Sequence, residues 1–235
     1  MVKLVAGTRE LKAVREGAPG IWLRAAGLLL ILLTVATTHA DEWATVSDDG
    51  GVLVQQRKYK NSPLMELRGQ TRLTASLNAV MALLKDADYN RHWVFRSGGA
   101  RILQASGYAQ AYVHGVVDAP WPMQDRDTVV RFDYVQHTQT RVITIEITNF
   151  PAFIPHQSGM MRVPDFGGFW KLIPLEGGHV DVIYQVHGDP GGWVPTWLAN
   201  YAAQLSVSKT LENMPAAVVH YNSVTSNEVA ELTDW

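Results

Sequence analysis

Cysteine is missing altogether from the 235 residues, which excludes disulfides, thiolate zinc sites, Cys nucleophiles and iron–sulfur clusters at once. The compartment stays open on this count, because a chain of this length builds a core that needs no covalent staple. An excess of one charge is lacking too: 20 Lys and Arg stand against 22 Asp and Glu, a formal net charge of -2. Long runs of like charge do not occur, so the electrostatic footprint of a nucleic-acid binder is absent and no nucleic-acid partner is expected. The eight histidines show no H-E-x-x-H or H-x-H spacing. There is no G-x-S-x-G elbow, and Gly191-Gly192 lacks the Lys and Ser/Thr of a phosphate-cradling loop. Neither a metal site nor a cofactor is expected. Repeats and low-complexity tracts are also wanting between residues 43 and 225.

What is present reads as an ordinary globular chain, 47% hydrophobic and 18% charged. Residues 1–40 have the order of a secretory leader. Lys3, Arg9, Lys12, Arg15 and Arg24 precede the uncharged stretch Ala25–Ala36, and small residues lead to Ala40 before Asp41-Glu42. The apolar run is short for a bilayer, which needs about 20 residues. Cleavage after Ala40 and export, in a bacterium to the periplasm, are expected; an uncleaved anchor is the alternative. Removing the leader leaves 15 basic against 20 acidic residues, a net charge of -5, which gains little from anionic lipid.

Periodicity divides the remainder. Val52–Tyr59 and Leu64–Thr71 alternate as two strands around Asn61-Ser62-Pro63. Leu73–Asp86 changes to helical spacing, with Leu73, Leu77, Val80, Met81 and Leu84 on one face and Thr74 or Ser76 as cap. Asp88–Trp93 reads as a further helical turn. Strands are then expected over Arg101–Ser106, Tyr108–Val117, Thr128–Gln136, Arg141–Asn149, Gly168–Pro174 and Val180–His187, the last two joined at Glu176-Gly177-Gly178. Phe150–Phe166 is the exception, a long segment whose Pro151, Pro155 and Pro164 forbid a central strand. Trp193–Tyr221 is helical again, with Pro195 in its first turn and Pro215 expected to kink or interrupt it. Residues 226–235 are expected to form a frayed tail. The class is α+β: a curved antiparallel sheet wrapped around a long C-terminal helix, with an apolar gap between them as the ligand site.

Three segments carry a family resemblance. Pro120-Trp121-Pro122 followed by Arg126-Asp127, the stretch Gly168-Phe169-Trp170-Lys171-Leu172-Ile173-Pro174-Leu175, and Asp189-Pro190-Gly191-Gly192-Trp193-Val194-Pro195-Thr196-Trp197 resemble, in family order, the motifs of START (steroidogenic acute regulatory protein-related lipid transfer) domains. The resemblance spans about 44–222. It implies a helix-grip fold, an apolar tunnel for a single lipid, and a mouth loop that moves with the last helix; on that layout the loop is Phe150–Phe166. Several animal members hold the ligand head with an internal Arg–acid pair. Here Arg126 and Arg131 fall on opposite faces of one strand, so that pair is not transferred.

The candidate ligand-binding set is Trp93, Tyr112, His114, Phe132, Ile145, Phe150, Phe153, Met160, Trp170, Trp197, Tyr201 and Leu205, and no catalytic residue is assigned. Alternation leaves two orientations open. Glu146 is solvated if Ile143, Ile145 and Ile147 line the cavity, and is a buried carboxylate if the other face does. His114 points inward if Tyr108 and Tyr112 do. The tryptophans are either core or amphipathic rings at the mouth. The expectation is a monomeric, non-enzymatic carrier of one hydrophobic ligand (sterol, hopanoid, fatty acid or phospholipid) that touches membranes transiently. Its gate is the 150–166 loop with the last helix, with Gly188 and Gly191-Gly192 as hinges. The same architecture hosts cyclases and aromatases, and that alternative would draw on Glu146, His114 and His187.

Overall fold

Alternating strand-formers over residues 44–189 pair into one antiparallel sheet, and the helical spacing that follows lays a single long helix across it. The computed structural model describes residues 42–224. The expected leader and the tail from 226 lie outside these residues. The strands are β1 (Ala44–Asp49), β2 (Val52–Lys58), β3 (Met65–Thr74), β4 (Ser97–Ser106), β5 (Gln110–Val117), β6 (Asp125–Gln136), β7 (Ile143–Asn149), β8 (Met160–Arg162), β9 (Asp165–Leu175) and β10 (His179–Asp189). The helices are α1 (Leu77–Lys85) and α2 (Thr196–Val218). The sheet order is β1-β2-β3-β10-β9-β7-β6-β5-β4, so β10 folds back beside β3 and brings the two halves of the chain together. This curved sheet with its long C-terminal helix is the helix-grip arrangement.

Several elements differ from their sequence spacing, each for a local reason. β1 has no buried face to betray it; it is paired to β2 through Gly50-Gly51, both at positive φ, in a turn that suits residues without a Cβ. Leu73 and Thr74 continue β3 instead of opening α1. The Ser76 side chain accepts from the Ala79 backbone N–H at 3.1 Å and fixes the helix start there. The proline-rich segment contains the three-residue strand β8, which runs parallel to the start of β6 where β7 has already ended. Pro215 does not interrupt α2: it sits in the last α-helical turn, and a single 3₁₀ turn over residues 219–221 finishes the element.

Cross-strand register fixes which side chains share a face. Tyr184 pairs with Gly69 and Trp170, Trp170 with Ile145, Ile145 with Tyr134, and Phe132 with Ile147. The helix lies on this face. A Cβ on Gly69 would come within 2.3 Å of Leu211 Cδ1 and 2.6 Å of Val207 Cγ1, so α2 rests directly on the backbone of β3. Leu67, Leu73, Leu172, Val182, Leu211 and Met214 are fully buried between the layers. Each such side chain contributes about 1.5–3 kcal/mol by leaving water.

Candidate functional site

The inner wall of the sheet is almost wholly apolar. Val130, Ile143, Ile145, Ile147, Trp170 and Leu172 are buried there, with Phe132, Tyr134 and Tyr184 half-buried beside them. Trp93, which follows the short 3₁₀ turn at 90–92, leans on the Trp170 ring at 6.3 Å, and Trp170 stacks on Tyr184 at 3.8 Å. The indole Nε1 of Trp93 is buried with no hydrogen-bond partner. Burial alone pushes the Tyr134 hydroxyl up to about 12 and raises Tyr184 further.

Along α2 the packing is uneven. Val207, Thr210, Leu211, Met214, Ala217 and Val218 are buried against the sheet and α1. At 100° per residue Ala199 and Ala203 share that same phase. Ala199 is buried, but Ala203 is exposed. In these first turns Asn200 reaches the sheet, its Oδ1 accepting from the Met65 N–H at 2.9 Å, whereas the short Ala203 side chain beside it is left exposed.

The expected site residues divide into three groups. Trp93, Phe132, Ile145 and Trp170 lie on the inner wall or in the core against it. Trp197, Tyr201 and Leu205, four residues apart, follow the side of α2 turned away from Gly69. Trp197 and Tyr201 are 71% and 58% exposed, and Leu205 is half-buried. Tyr112, His114, Phe150, Phe153 and Met160 are on the outer face of the sheet, which corrects the inward placing of the tyrosine side of β5. Register decides it: Tyr112 opposes Arg131 and His114 opposes Val129, whereas Val113 opposes the inner-wall residue Val130.

That outer face is no open surface, which is why its large side chains are not wasted on water. Tyr112 stacks on Phe153 at 4.2 Å and meets Phe150 edge-on at 5.3 Å, and the Arg131 guanidinium lies 4.9 Å from the Phe150 ring. Beneath the loop is a buried polar chain. Arg101 Nε donates to His114 Nδ1 at 3.4 Å, which leaves the proton on Nε2 to be donated to Asp127 Oδ2 at 2.9 Å. Arg162 donates to the same oxygen from Nε at 3.0 Å and from Nη2 at 2.8 Å. Its Nη1 also donates to the carbonyls of Pro151 and Ile154, and Nη2 to that of Pro155. Burial would raise the Asp127 carboxyl, but the hydrogen bonds from Arg162 and His114, with the charge of Arg162, outweigh it and hold it below the usual carboxylate range. Asp127 and Arg162 are absent from the candidate set: Asp127 is one of five charged residues in β6, and nothing in its local spacing marks it out.

Only part of the 150–166 segment meets the link between β10 and α2. In β8, Met161 pairs with Arg126, on the inner side, while Met160 pairs with Asp125 and shares the outer side with Arg162. Met161, not Met160, faces the link between β10 and α2: a Cβ on Gly192 would lie 3.2 Å from its Cε. Gly191 and Gly192 both have φ of +69°. Gly188 is no part of that link; it is paired with Phe166 inside β10, where a Cβ would press on the Phe166 ring at 2.9 Å. Trp121 and Trp193, on the β5–β6 and β10–α2 connections, are 93% and 92% exposed. Glu146 and His187 are on the outer face, where both line an open groove of about 430 Å³ with Tyr59 and Asp165. Burial lowers the His187 imidazole, which stacks on Tyr59 at 3.8 Å. Among the described residues, then, the three acid–base candidates are not assembled on the inner wall.

Comparison with known proteins agrees with this geometry. The START domain family profile matches residues 25–223. An uncharacterized protein of Pseudomonas aeruginosa is 31% identical over 178 residues, covering 76% of this chain and 87% of that protein. Phosphatidylcholine transfer protein of Rattus norvegicus is 26% identical over 196 residues, covering 81% and 89%. The solved structure of a STAR-related lipid transfer protein from Xanthomonas axonopodis superposes with a TM-score of 0.71 at 34% identity, covering 76% of this chain and 99% of that one.

Proposed function

Because the chain belongs to the START domain family, we propose that it binds one hydrophobic molecule between the first turns of α2 and the inner wall of the sheet, and carries it between membranes. The observation that bears most weight is the exposed Ala203 on the sheet-facing side of a helix that is buried one turn before and one turn after. An apolar gap walled by Trp170, Phe132 and Ile145 holds a ligand chiefly by burial of its apolar surface. Lipid-transfer proteins among the relatives support the reading.

Access runs past Met161 and the Gly191-Gly192 link, whose two left-handed glycines let the start of α2 move relative to β10. Trp121, Trp193 and Trp197, amphipathic and exposed, are the groups that meet the bilayer interface during transient contact. Tyr112, His114, Phe150, Phe153 and Met160 serve instead to hold the 150–163 segment against the outer face. The protein is exported with cleavage after Ala40, acts in the periplasm of a bacterium, and works as a monomer. A cyclase-like reading needs an acid–base pair on the inner wall, and Glu146, His114 and His187 do not supply one.

Organic extraction and mass spectrometry of the mature protein from its native host test the proposal. The expected result is one lipid per chain. A protein that retains no lipid and takes none from a total lipid extract rejects it.

A further inference from the structure

The polarity of the inner wall says more about the ligand than that it is apolar. On the inner face of the central strands β3, β10, β9, β7 and β6, alternation places one charged side chain among the described residues, Arg126. Arg126 is at the mouth, and its guanidinium is already engaged by the carbonyls of Gln124 and Pro190. Lys85, at the rim, donates to the Tyr108 carbonyl. The other polar groups on or against this face are neutral: Thr71, Thr128, Gln136 and Asn149 on the strands, the Trp93 indole N–H, and the hydroxyls of Tyr134 and Tyr184.

Two of these are buried and unsatisfied, the Asn149 Oδ1 acceptor beside Pro164 and the Trp93 Nε1, and Trp93 is the donor. Its residue is 3% exposed and its Nε1 has no partner. Asn213 Nδ2 donates to its carbonyl at 2.9 Å, and the Phe95 N–H donates to Thr210 Oγ1 at 3.2 Å, which fixes the segment against α2. These contacts lie seven to ten residues beyond Ala203, about 10–15 Å along the helix. Trp93 therefore stands at the end where α2 is seated on the sheet, far from the mouth. A buried donor without an acceptor is rare in native structures and calls for an explanation.

Resting on the lipid-binding reading, we propose that Trp93 is the specificity residue for the ligand's polar end. Its N–H receives an uncharged oxygen acceptor, the hydroxyl or carbonyl of a neutral lipid, with the apolar body extending back beneath Ala203. A phosphate or carboxylate buried at that depth would be an ion without a counter-charge, which the low-dielectric wall strongly disfavours. A hydrocarbon with no oxygen would leave the N–H as it is. The site thus selects against both extremes.

The test uses the mature protein and four probes: a sterol with a free 3-hydroxyl, its 3-deoxy analogue, phosphatidylcholine and palmitate. The sterol alcohol is expected to bind about tenfold tighter than the deoxy analogue, the size of one well-made hydrogen bond. Phosphatidylcholine and palmitate are expected to bind weaker than the alcohol. Trp93→Phe should bring the alcohol and its deoxy analogue to near-equal affinity. Should that variant fold poorly, benzothienylalanine at position 93, which keeps the ring and replaces the N–H by sulfur, makes the same comparison. The inference is overturned if phosphatidylcholine or palmitate binds as tightly as the alcohol, or if the alcohol keeps its advantage without the N–H. Binding of no probe at all overturns the lipid-binding reading along with it; binding without discrimination overturns this inference alone.

Discussion

Arg162 and Asp127 meet in register across the parallel pair β8 and β6, the guanidinium donating twice to one carboxylate oxygen while its remaining N–H groups hold the carbonyls of Pro151, Ile154 and Pro155. Both side chains are almost completely buried, at 2% and 0% exposure. One ion pair therefore fastens the proline-rich segment to the outside of the sheet.

Removing one partner leaves the other charge buried and alone, so Arg162→Met is expected to destabilise the fold by about 3–5 kcal/mol. The double variant Arg162→Met, Asp127→Leu should lose less than the sum of the singles, because no uncompensated ion remains. Urea denaturation of the four proteins in the cycle measures both quantities. Equal and additive losses would mean that the pair is not coupled.

Acid should reveal the same carboxylate. Its ionisation lies lower in the folded protein than in the unfolded chain, near 3.9. The stabilisation is therefore complete above that unfolded value and is lost as the pH falls through the lower folded one. Asp127→Asn should be far less stable than the parent at neutral pH, with the gap closing below about pH 3.9. Denaturation midpoints recorded across that range check the sign; a gap that widens in acid would contradict it.

Ala203→Phe fills the space under α2 with a ring. Lipid retention should fall about tenfold or more while thermal stability stays within roughly 1 kcal/mol of the parent, since the new side chain enters a gap and not a packed core. Retained ligand quantified by mass spectrometry, alongside a melting curve, separates the two. A large loss of stability would show that the position is already filled.

Trp121→Ser and Trp193→Ser alter side chains that touch little of the protein, and stability should change by less than about 0.5 kcal/mol. Partition of the double variant onto zwitterionic vesicles, followed by sedimentation, should fall several-fold, because interfacial tryptophans lose their preferred environment. Unchanged partition would remove these residues from the membrane contact.

How much of this was legible beforehand follows from which faces are covered. In β7 the isoleucines at 143, 145 and 147 alternate with Glu146 and Thr148, and a strand with one wet side announces its dry one. β5 is different. Tyr112 and His114 are covered by the loop, and Ala111 and Val113 face the inner wall, so both sides look suited to burial and only the register to β6 decides. The last helix is legible in part: Leu211, Met214 and Val218 on its apolar stripe are buried as the spacing implies. Trp197 and Tyr201, on the same stripe, are exposed, and the close contact of Val207 and Leu211 with β3 is made at Gly69, a residue with no side chain to signal it. The buried Asp127–Arg162 pair joins residues 35 positions apart in sequence, beyond the reach of local spacing.

That contact at Gly69 also sets the shape of the chamber. With no side chain between β3 and Leu211, helix and sheet approach most closely there. Toward Thr196 the helix turns to the sheet the short side chains of Ala199 and Ala203, with Asn200 tied to the start of β3, while the inner wall carries the rings of Tyr184, Trp170 and Phe132. In the proposed site the space would be a wedge: a glycine would fix its thin edge, and the aromatic rings would set its width. Exchanging one ring for another retunes the width while the edge stays where it is, so ligands of different girth can be matched without moving the helix from its seat.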